Sequence, residues 1–241
     1  MTMNGTAARF VRRVRPTPSQ QKWSSRLFEV ICRNFLRRYC KLVVSGALPQ
    51  GDVPLLVCSN HTSHIDSIAI MIASGVPFDS CALLAARDYF FRNALGLSVI
   101  GNVLNLIPVN RFGLRGFRDT LRHCRRYMAS GGRIIVAFPE GSRGIGGAVA
   151  PFKRGPAVLS ASLRLPVVPV WVAGTHDIMP KGSFFPRRGT VSVAFGEVLQ
   201  PPDPMERTPR KVQTANMTSE IVRAVRALAD SSRPGGAKRR V

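Results

Sequence analysis

His61 and Asp66, within Asn60-His61-Thr62-Ser63-His64-Ile65-Asp66, are the pair in this chain best suited to move a proton. A carboxylate that accepts one ring N–H of an imidazole fixes the tautomer and makes the other nitrogen more basic. The two residues stand five apart, about 140° around a regular helix, so they cannot meet from mid-helix. They meet if His61 lies in the loop before a helix and Asp66 lies in its first turn. A second polar cluster, Phe138-Pro139-Glu140-Gly141-Ser142-Arg143-Gly144, sets an acid, a hydroxyl and a guanidinium in a tight glycine turn. Arg143 suits bidentate contact with a phosphate, and Glu140 suits acceptance from substrate hydroxyls. Val109-Asn110-Arg111 and Lys153-Arg154 add further cations. A His–carboxylate pair beside several cations fits deprotonation of a hydroxyl on a phosphate-bearing alcohol.

The same residues have other readings. Ser63-x-x-Asp66 is a capping-box pattern, in which Asp66 simply starts a helix. His61-x-x-His64-x-Asp66 offers metal-ligand atoms, but its spacing is not that of a binuclear metal site. His123 falls in an expected surface helix and His176 stands alone after an expected strand, so no metal is expected. Cys58 is a possible nucleophile, although its place in an apolar run suits a buried filler.

The elements that would position these groups follow from periodicity. Val53 to Cys58 and Ile134 to Ala137 are apolar runs of strand length, each leading straight into one polar cluster. Two such strands imply one site at the ends of a sheet. Further strands are expected at Cys81–Ala86, Val103–Val109, Val167–Val172 and Thr190–Phe195, and near Val43, where a hairpin or a βα entry leads to Val57. Helices are expected at Ile65–Ser74, Gly116–Gly131, Gly155–Leu163 and Val212–Ala229, with a short helical or irregular stretch at Tyr89–Ile100. Alternating strands and helices give an α/β fold: a mixed, mostly parallel sheet flanked by helices, with an N-terminal amphipathic helical segment. Residues 1–19 read as a disordered basic arm, 20–42 as an amphipathic membrane-docking helix, 43–229 as the α/β domain and 230–241 as a disordered tail. In the docking segment Trp23, Leu27, Ile31 and Phe35 recur every fourth residue among Lys and Arg, which suits a helix lying in a membrane interface or packed on the domain.

Composition narrows the partners. Lys+Arg 35 against Asp+Glu 13 gives a net charge of +22 over 241 residues, which favours a polyanionic partner such as nucleic acid or an anionic membrane face. Nucleic-acid binding predicts aromatics interleaved with cations on exposed strands, whereas here they gather in the amphipathic segment and at residues 89–91. Five cysteines without C-x-x-C spacing point away from disulfides and zinc and towards a reducing cytosol. No uncharged apolar run reaches the roughly 18 residues of a membrane span.

Four ordered blocks resemble the glycerophosphate/lysophosphatidate acyltransferase family. They are Asn60-His61-x4-Asp66, Gly101 with Ile107-Pro108-Val109-Asn110-Arg111, Phe138-Pro139-Glu140-Gly141-Ser142-Arg143, and Val167-Val168-Pro169-Val170. Ala86-Arg87-Asp88-Tyr89 and Phe152-Lys153-Arg154-Gly155 are smaller echoes, and the match runs over about residues 53–175. The resemblance implies an acyltransferase that makes phosphatidate by moving a fatty acyl group from acyl-CoA or acyl-carrier protein to lysophosphatidate. His61 would be the general base oriented by Asp66, and Arg111, Glu140, Gly141, Ser142, Arg143 and Lys153 would hold the substrate. It implies no cofactor, no nucleic acid, and a peripheral position on the anionic cytoplasmic face of a membrane. The second block departs from the family in carrying Asn110 where an acid is usual, which keeps another lysophospholipid, alcohol or amine as the alternative acceptor.

Overall fold

The structure, a computed structural model, describes residues 23–86, 104–110, 113–144, 150–179 and 186–232. Among the described residues seven strands form one sheet: β1 (Cys40–Ser45), β2 (Leu55–Ser59), β3 (Cys81–Ala86), β4 (Leu106–Val109), β5 (Ile134–Ala137), β6 (Val167–Ala173) and β7 (Gly189–Phe195). Their order is β1-β7-β6-β2-β5-β3-β4, with every pairing parallel except β6 with β7. Strand β2 sits at the centre because Leu55, Leu56, Val57, Cys58 and Ser59 are all buried, as a strand covered on both faces requires.

Side-chain alternation divides the core into two layers. Leu55 and Val57 of β2 join Ile134, Val136, Val168 and Val170 on one face of the sheet. Leu56 and Cys58 join Ile135, Ala137 and Val167 on the other. Helices α1 (Trp23–Tyr39) and α2 (Ile65–Ala73) cover the first face through Cys32, Leu36, Ile70 and Met71. Helices α3 (Gly113–Ala129), α4 (Gly155–Leu163) and α6 (Arg210–Ser231) cover the second through Cys124, Leu159, Met217, Ile221 and Val225. Connection direction explains the division. From β2 to β3 the chain steps past β5 one way and from β4 to β5 it steps back, so right-handed crossovers put α2 and α3 on opposite faces. A short helix, α5 (Thr175–Ile178), follows β6 directly.

Several expectations need correction. The helix expected over 20–42 runs from Trp23 to Tyr39 among the described residues, and Cys40–Ser45 is strand β1. Pairing with β7 in register Cys40↔Gly189 to Ser45↔Ala194 captures this short β-branched stretch and overrides the helical period. No hairpin joins β1 to β2, since β2 pairs with β5 and β6 and leaves β1 at the sheet edge. The last helix extends to Ser231, two residues into the expected tail. The basic arm 1–19, the stretch 89–100, Gly101, Arg111 and residues 233–241 lie outside the described residues.

Helix α1 carries apolar groups on two sides. Its inner side holds Cys32 and Leu36, and Phe28 meets Phe78 edge-on at 6.2 Å. The Glu29 carboxylate fastens it further, accepting the Phe78 N–H at 3.2 Å and the Arg33 guanidinium at 2.7 Å. Trp23, Leu27, Val30 and Ile31 remain exposed, Trp23 by 85%. No helix among the described residues is long and apolar enough to cross a membrane.

The passage from β6 into α5 depends on Gly174. Its φ is +83°, and a β-carbon there would lie 1.9 Å from the Thr190 carbonyl oxygen of β7. Left-handed backbone and this main-chain clash act together, so Gly174→Ala is expected to lower unfolding free energy by about 2 kcal/mol or more. Urea denaturation at neutral pH measures the loss.

Candidate active site

Four segments end at the carboxyl edge of the parallel strands: 60–66 after β2, Asn110 after β4, 138–144 after β5, and Gly174-Thr175 after β6. This is the edge where open α/β sheets bind ligands. The register Cys58↔Ala137 and Ser59↔Val170 brings three of these strands to one level before the chain leaves the sheet.

Asn60 makes that exit possible. Its Oδ1 accepts the Val172 N–H at 2.8 Å and its Nδ2 donates to the Val172 carbonyl at 2.8 Å. If the register Leu56↔Val167 continued, residue 61 would face Val172. The buried Asn60 amide takes that rung, and the main chain of His61 is released to turn towards β5. There the Glu140 Oε1 accepts the His61 N–H at 2.9 Å, and the Gly144 N–H donates to the His61 carbonyl at 2.7 Å. The imidazole stacks on the Phe138 ring with centroids 4.0 Å apart and planes 18° from parallel. Backbone and ring of His61 are thus both held by the 138–144 loop.

The remaining constraint comes from Asp66. Its Oδ2 lies 2.9 Å from His61 Nδ1 and accepts the N–H groups of Thr62 at 2.6 Å and Ser63 at 2.8 Å. Its Oδ1 accepts a short hydrogen bond from the Thr175 hydroxyl. The two sequence readings of Asp66 are therefore both present in one carboxylate. It closes the Ser63 half of a capping box at the start of α2, and it meets the His61 ring. The Ser63 hydroxyl is used elsewhere, donating to the Met179 carbonyl at 3.0 Å. A carboxylate at Nδ1 favours the tautomer that keeps its proton on Nδ1 and directs the Nε2 lone pair away from Asp66. The His61 side chain retains 18% exposure while that of Asp66 has none, so the imidazole is open to solvent and the carboxylate is sealed behind it.

Glu140 departs from its expected place. It is buried, and its carboxylate faces the His61 N–H and, at 3.4 Å, the Ala150 N–H. Burial pushes its carboxyl above the ordinary range, and those two N–H groups partly offset the rise. Gly141 makes the turn with φ +75°, and a β-carbon there would lie 2.6 Å from Lys153 Nζ, so the ammonium rests on the glycine. Ser142 is exposed and Arg143 half-buried. Arg143 is close enough to His64 that its charge, with burial as the larger cause, pushes the His64 imidazole below its ordinary pKa. Asn110 lies against α3, where a β-carbon on Gly116 would come within 2.5 Å of its Cγ. Arg111 lies outside the described residues.

Cys58 is fully buried in β2 and burial pushes its thiol far up, so it fills the core and offers no thiolate. Among the described residues no group of three or more His, Cys, Asp or Glu side chains could hold a metal ion. Sequence reasoning passed over the roles of Asn60, Phe138 and Gly144, although all three stand in blocks it had singled out. Thr175 carried no local signal, being 109 residues from Asp66.

The carboxyl edge of this sheet thus carries an imidazole–carboxylate pair together with Arg143 and Lys153 on the neighbouring loop. The family model described as Acyltransferase matches residues 41–173, more than half of the chain, and the chain belongs to that family. It is 32% identical over 136 residues to a chloroplastic 1-acyl-sn-glycerol-3-phosphate acyltransferase of Brassica napus, covering 56% of this chain and 38% of that protein. With the Arabidopsis thaliana chloroplastic enzyme of the same name it shares 30% over 147 residues, 60% of this chain and 39% of that one. The chain therefore spans well under two thirds of the length of these curated relatives. The fold is similar to the crystal structure of the 1-acyl-sn-glycerophosphate (LPA) acyltransferase PlsC from Thermotoga maritima. The TM-score is 0.64 at 22% identity, over 87% of this chain and 80% of that chain.

Removing the Asn60 amide would leave the N–H and carbonyl of Val172 buried without partners, each a cost of about 1–3 kcal/mol. Asn60→Ala is expected to destabilise the fold by about 2–4 kcal/mol and to speed amide hydrogen exchange at Val172. Denaturant titration and residue-resolved exchange check the two effects.

Proposed function

We propose that this protein acylates the free hydroxyl of lysophosphatidate with an acyl thioester, giving phosphatidate. The observation that carries the reading is the His61–Asp66 contact of 2.9 Å at the carboxyl edge of β2, set beside the Arg143 loop in a chain of the acyltransferase family. His61 Nε2 takes the hydroxyl proton as the oxygen attacks the thioester carbonyl. The tetrahedral intermediate collapses, the carbon–sulfur bond breaks, and the imidazolium returns the proton to the departing sulfur. The enzyme forms no covalent intermediate and needs no cofactor. Asp66 holds the imidazole in the productive tautomer and stabilises the imidazolium.

Arg143, with Arg111 and Lys153, would neutralise the acceptor phosphate, and Gly141 and Ser142 would shape the turn against it. The buried Glu140 supports this arrangement by holding the His61 main chain. The donor is acyl-CoA or acyl-carrier protein, both acidic and suited to the basic surface. A second reading, acylation of another lysophospholipid or a different alcohol or amine, rests on Asn110, whose neutral amide lies against α3 where family members usually carry an acid.

The exposed Trp23, Leu27, Val30 and Ile31, flanked by exposed Arg26, Arg37 and Arg38, suit docking on an anionic bilayer. In this reading α1 lies on the cytoplasmic face as a peripheral anchor, and the sheet from Cys40 onward forms the catalytic domain.

Free-thiol release from oleoyl-CoA, with and without lysophosphatidate, tests the function. Acceptor-dependent release is expected in the wild type and none above background in His61→Ala. Near-normal turnover in that variant would refute the base assignment. Asp66→Asn is expected to lower kcat by about 10²- to 10⁴-fold with a smaller change in acceptor KM. An effect confined to stability would reduce Asp66 to a helix cap.

Docking is tested with vesicles containing anionic phospholipid. Co-sedimentation is expected to weaken as salt rises and to fall at least tenfold in a Trp23→Glu/Ile31→Glu double variant. Equal binding to neutral vesicles at every salt concentration would argue against the electrostatic part.

A further inference from the structure

The Asp66 carboxylate is described by four donors, and three of them come from its own loop: the ring of His61 and the N–H groups of Thr62 and Ser63. All three reach Oδ2. These three contacts lie within one loop, tie the carboxylate itself to no other strand, and leave Oδ1 to be satisfied from elsewhere. The fourth donor is the Thr175 hydroxyl, which reaches Oδ1 from the first residue of α5, at the end of a different strand. Thr175 is fully buried, as is Asp66, so no water replaces this donor.

We infer that Thr175 is a positioning residue for proton transfer: by occupying Oδ1 it fixes the carboxylate plane so that Oδ2 alone meets His61 Nδ1. The inference rests on the proposed role of His61 as base. The hydroxyl of Thr175 has one hydrogen, and Asp66 Oδ1 is a pure acceptor, so that hydrogen points to Asp66. The Thr62 hydroxyl, 3.1 Å from Thr175 Oγ1, then donates to Thr175. This chain from Thr62 through Thr175 to Asp66 is directional, and each bond polarises the next. Gly174 completes the arrangement. Its left-handed backbone, pressed against the Thr190 carbonyl, turns the chain out of β6 so that residue 175 comes to face Asp66. The Asn60 amide reinforces it by tying Val172, three residues earlier, to the loop that carries His61.

Threonine, rather than any residue of similar shape, is required because only the hydroxyl satisfies Oδ1. Valine keeps the shape and removes the donor, leaving a buried anionic oxygen with none. Serine keeps the donor and removes only a methyl group.

The test compares Thr175→Val and Thr175→Ser with the wild type in the full chain, after thermal unfolding has established that each folds. Thr175→Val is expected to lower kcat roughly 10- to 100-fold, the value of one hydrogen bond to a charged group, with acceptor KM within about threefold. Thr175→Ser is expected to stay within about fivefold of wild type in kcat, the rescue expected if the hydroxyl alone matters. Nitrogen-15 spectra of ring-labelled histidine supply a readout independent of turnover. The chain has only 4 histidines, so the His61 signals can be assigned with His61→Ala. The wild type and the serine variant are expected to hold the Nδ1–H tautomer, and the valine variant to show a mixture. If valine does not fold, Thr175→Ala reads the same quantities. Wild-type kcat with an unchanged tautomer in the valine or alanine variant overturns the inference. So does a serine variant as impaired as valine. Full turnover in His61→Ala would instead sink the underlying mechanism, so the two failures are distinguishable.

Discussion

A carboxylate sealed from water must find every donor within the protein, and Asp66 imposes this requirement on the whole carboxyl edge of the sheet. Its donors come from the loop after β2 and from the residue that follows β6 by two positions, so β2 and β6 must end at matching heights. The parallel register between them provides that match, and the Asn60 amide extends it by one rung after the backbone has left. The third strand, β5, contributes through main-chain contacts to His61 from Glu140 and Gly144. Three strands thus converge on one imidazole, and none does so through a flexible surface side chain.

The polar groups divide into two sets by what they touch. Asn60, Asp66, Glu140 and Thr175 are buried and bonded to protein, and together they determine where His61 stands. Ser142, Arg143 and Lys153 lie further out on the glycine-rich turn, with Ser142 and Lys153 exposed. Glu140 belongs to the inner set despite its place beside a Ser and an Arg in sequence. Its raised pKa reflects the burial that comes with this role.

Much of the architecture was legible because apolar runs of strand length sit between glycine, proline and polar clusters. Cys81–Ala86 and Gly155–Leu163 were expected at the bounds the structure has. A strand near Val43 was expected, but its start at Cys40 was hidden within the helical period, because pairing with β7 nearly 150 residues away sets the conformation there. Within the site, the approach of His61 and Asp66 followed from spacing, because a loop–helix junction is a local event. The inward turn of Glu140 was hidden, since an acid among cations in a loop reads as substrate-facing until its burial is known. Thr175 was hidden for a simpler reason: no local pattern distinguishes it, and its partner stands at the start of α2, 109 residues away.

The long sequence separation within the site bears on how it comes into being. The contacts Asn60–Val172 and Asp66–Thr175 span 112 and 109 residues. A chain emerging in order from a ribosome therefore completes the His61 loop early but cannot lock it until β6 has been made and has slotted in beside β2. Loop-closure entropy of this size makes such docking a slow step, and a nascent chain halted before β6 exposes the unpaired edge of β2. Assembly of the His61–Asp66–Thr175 contacts and closure of the central sheet are thus a single late event in folding, so a partly folded chain holds no preformed arrangement around His61.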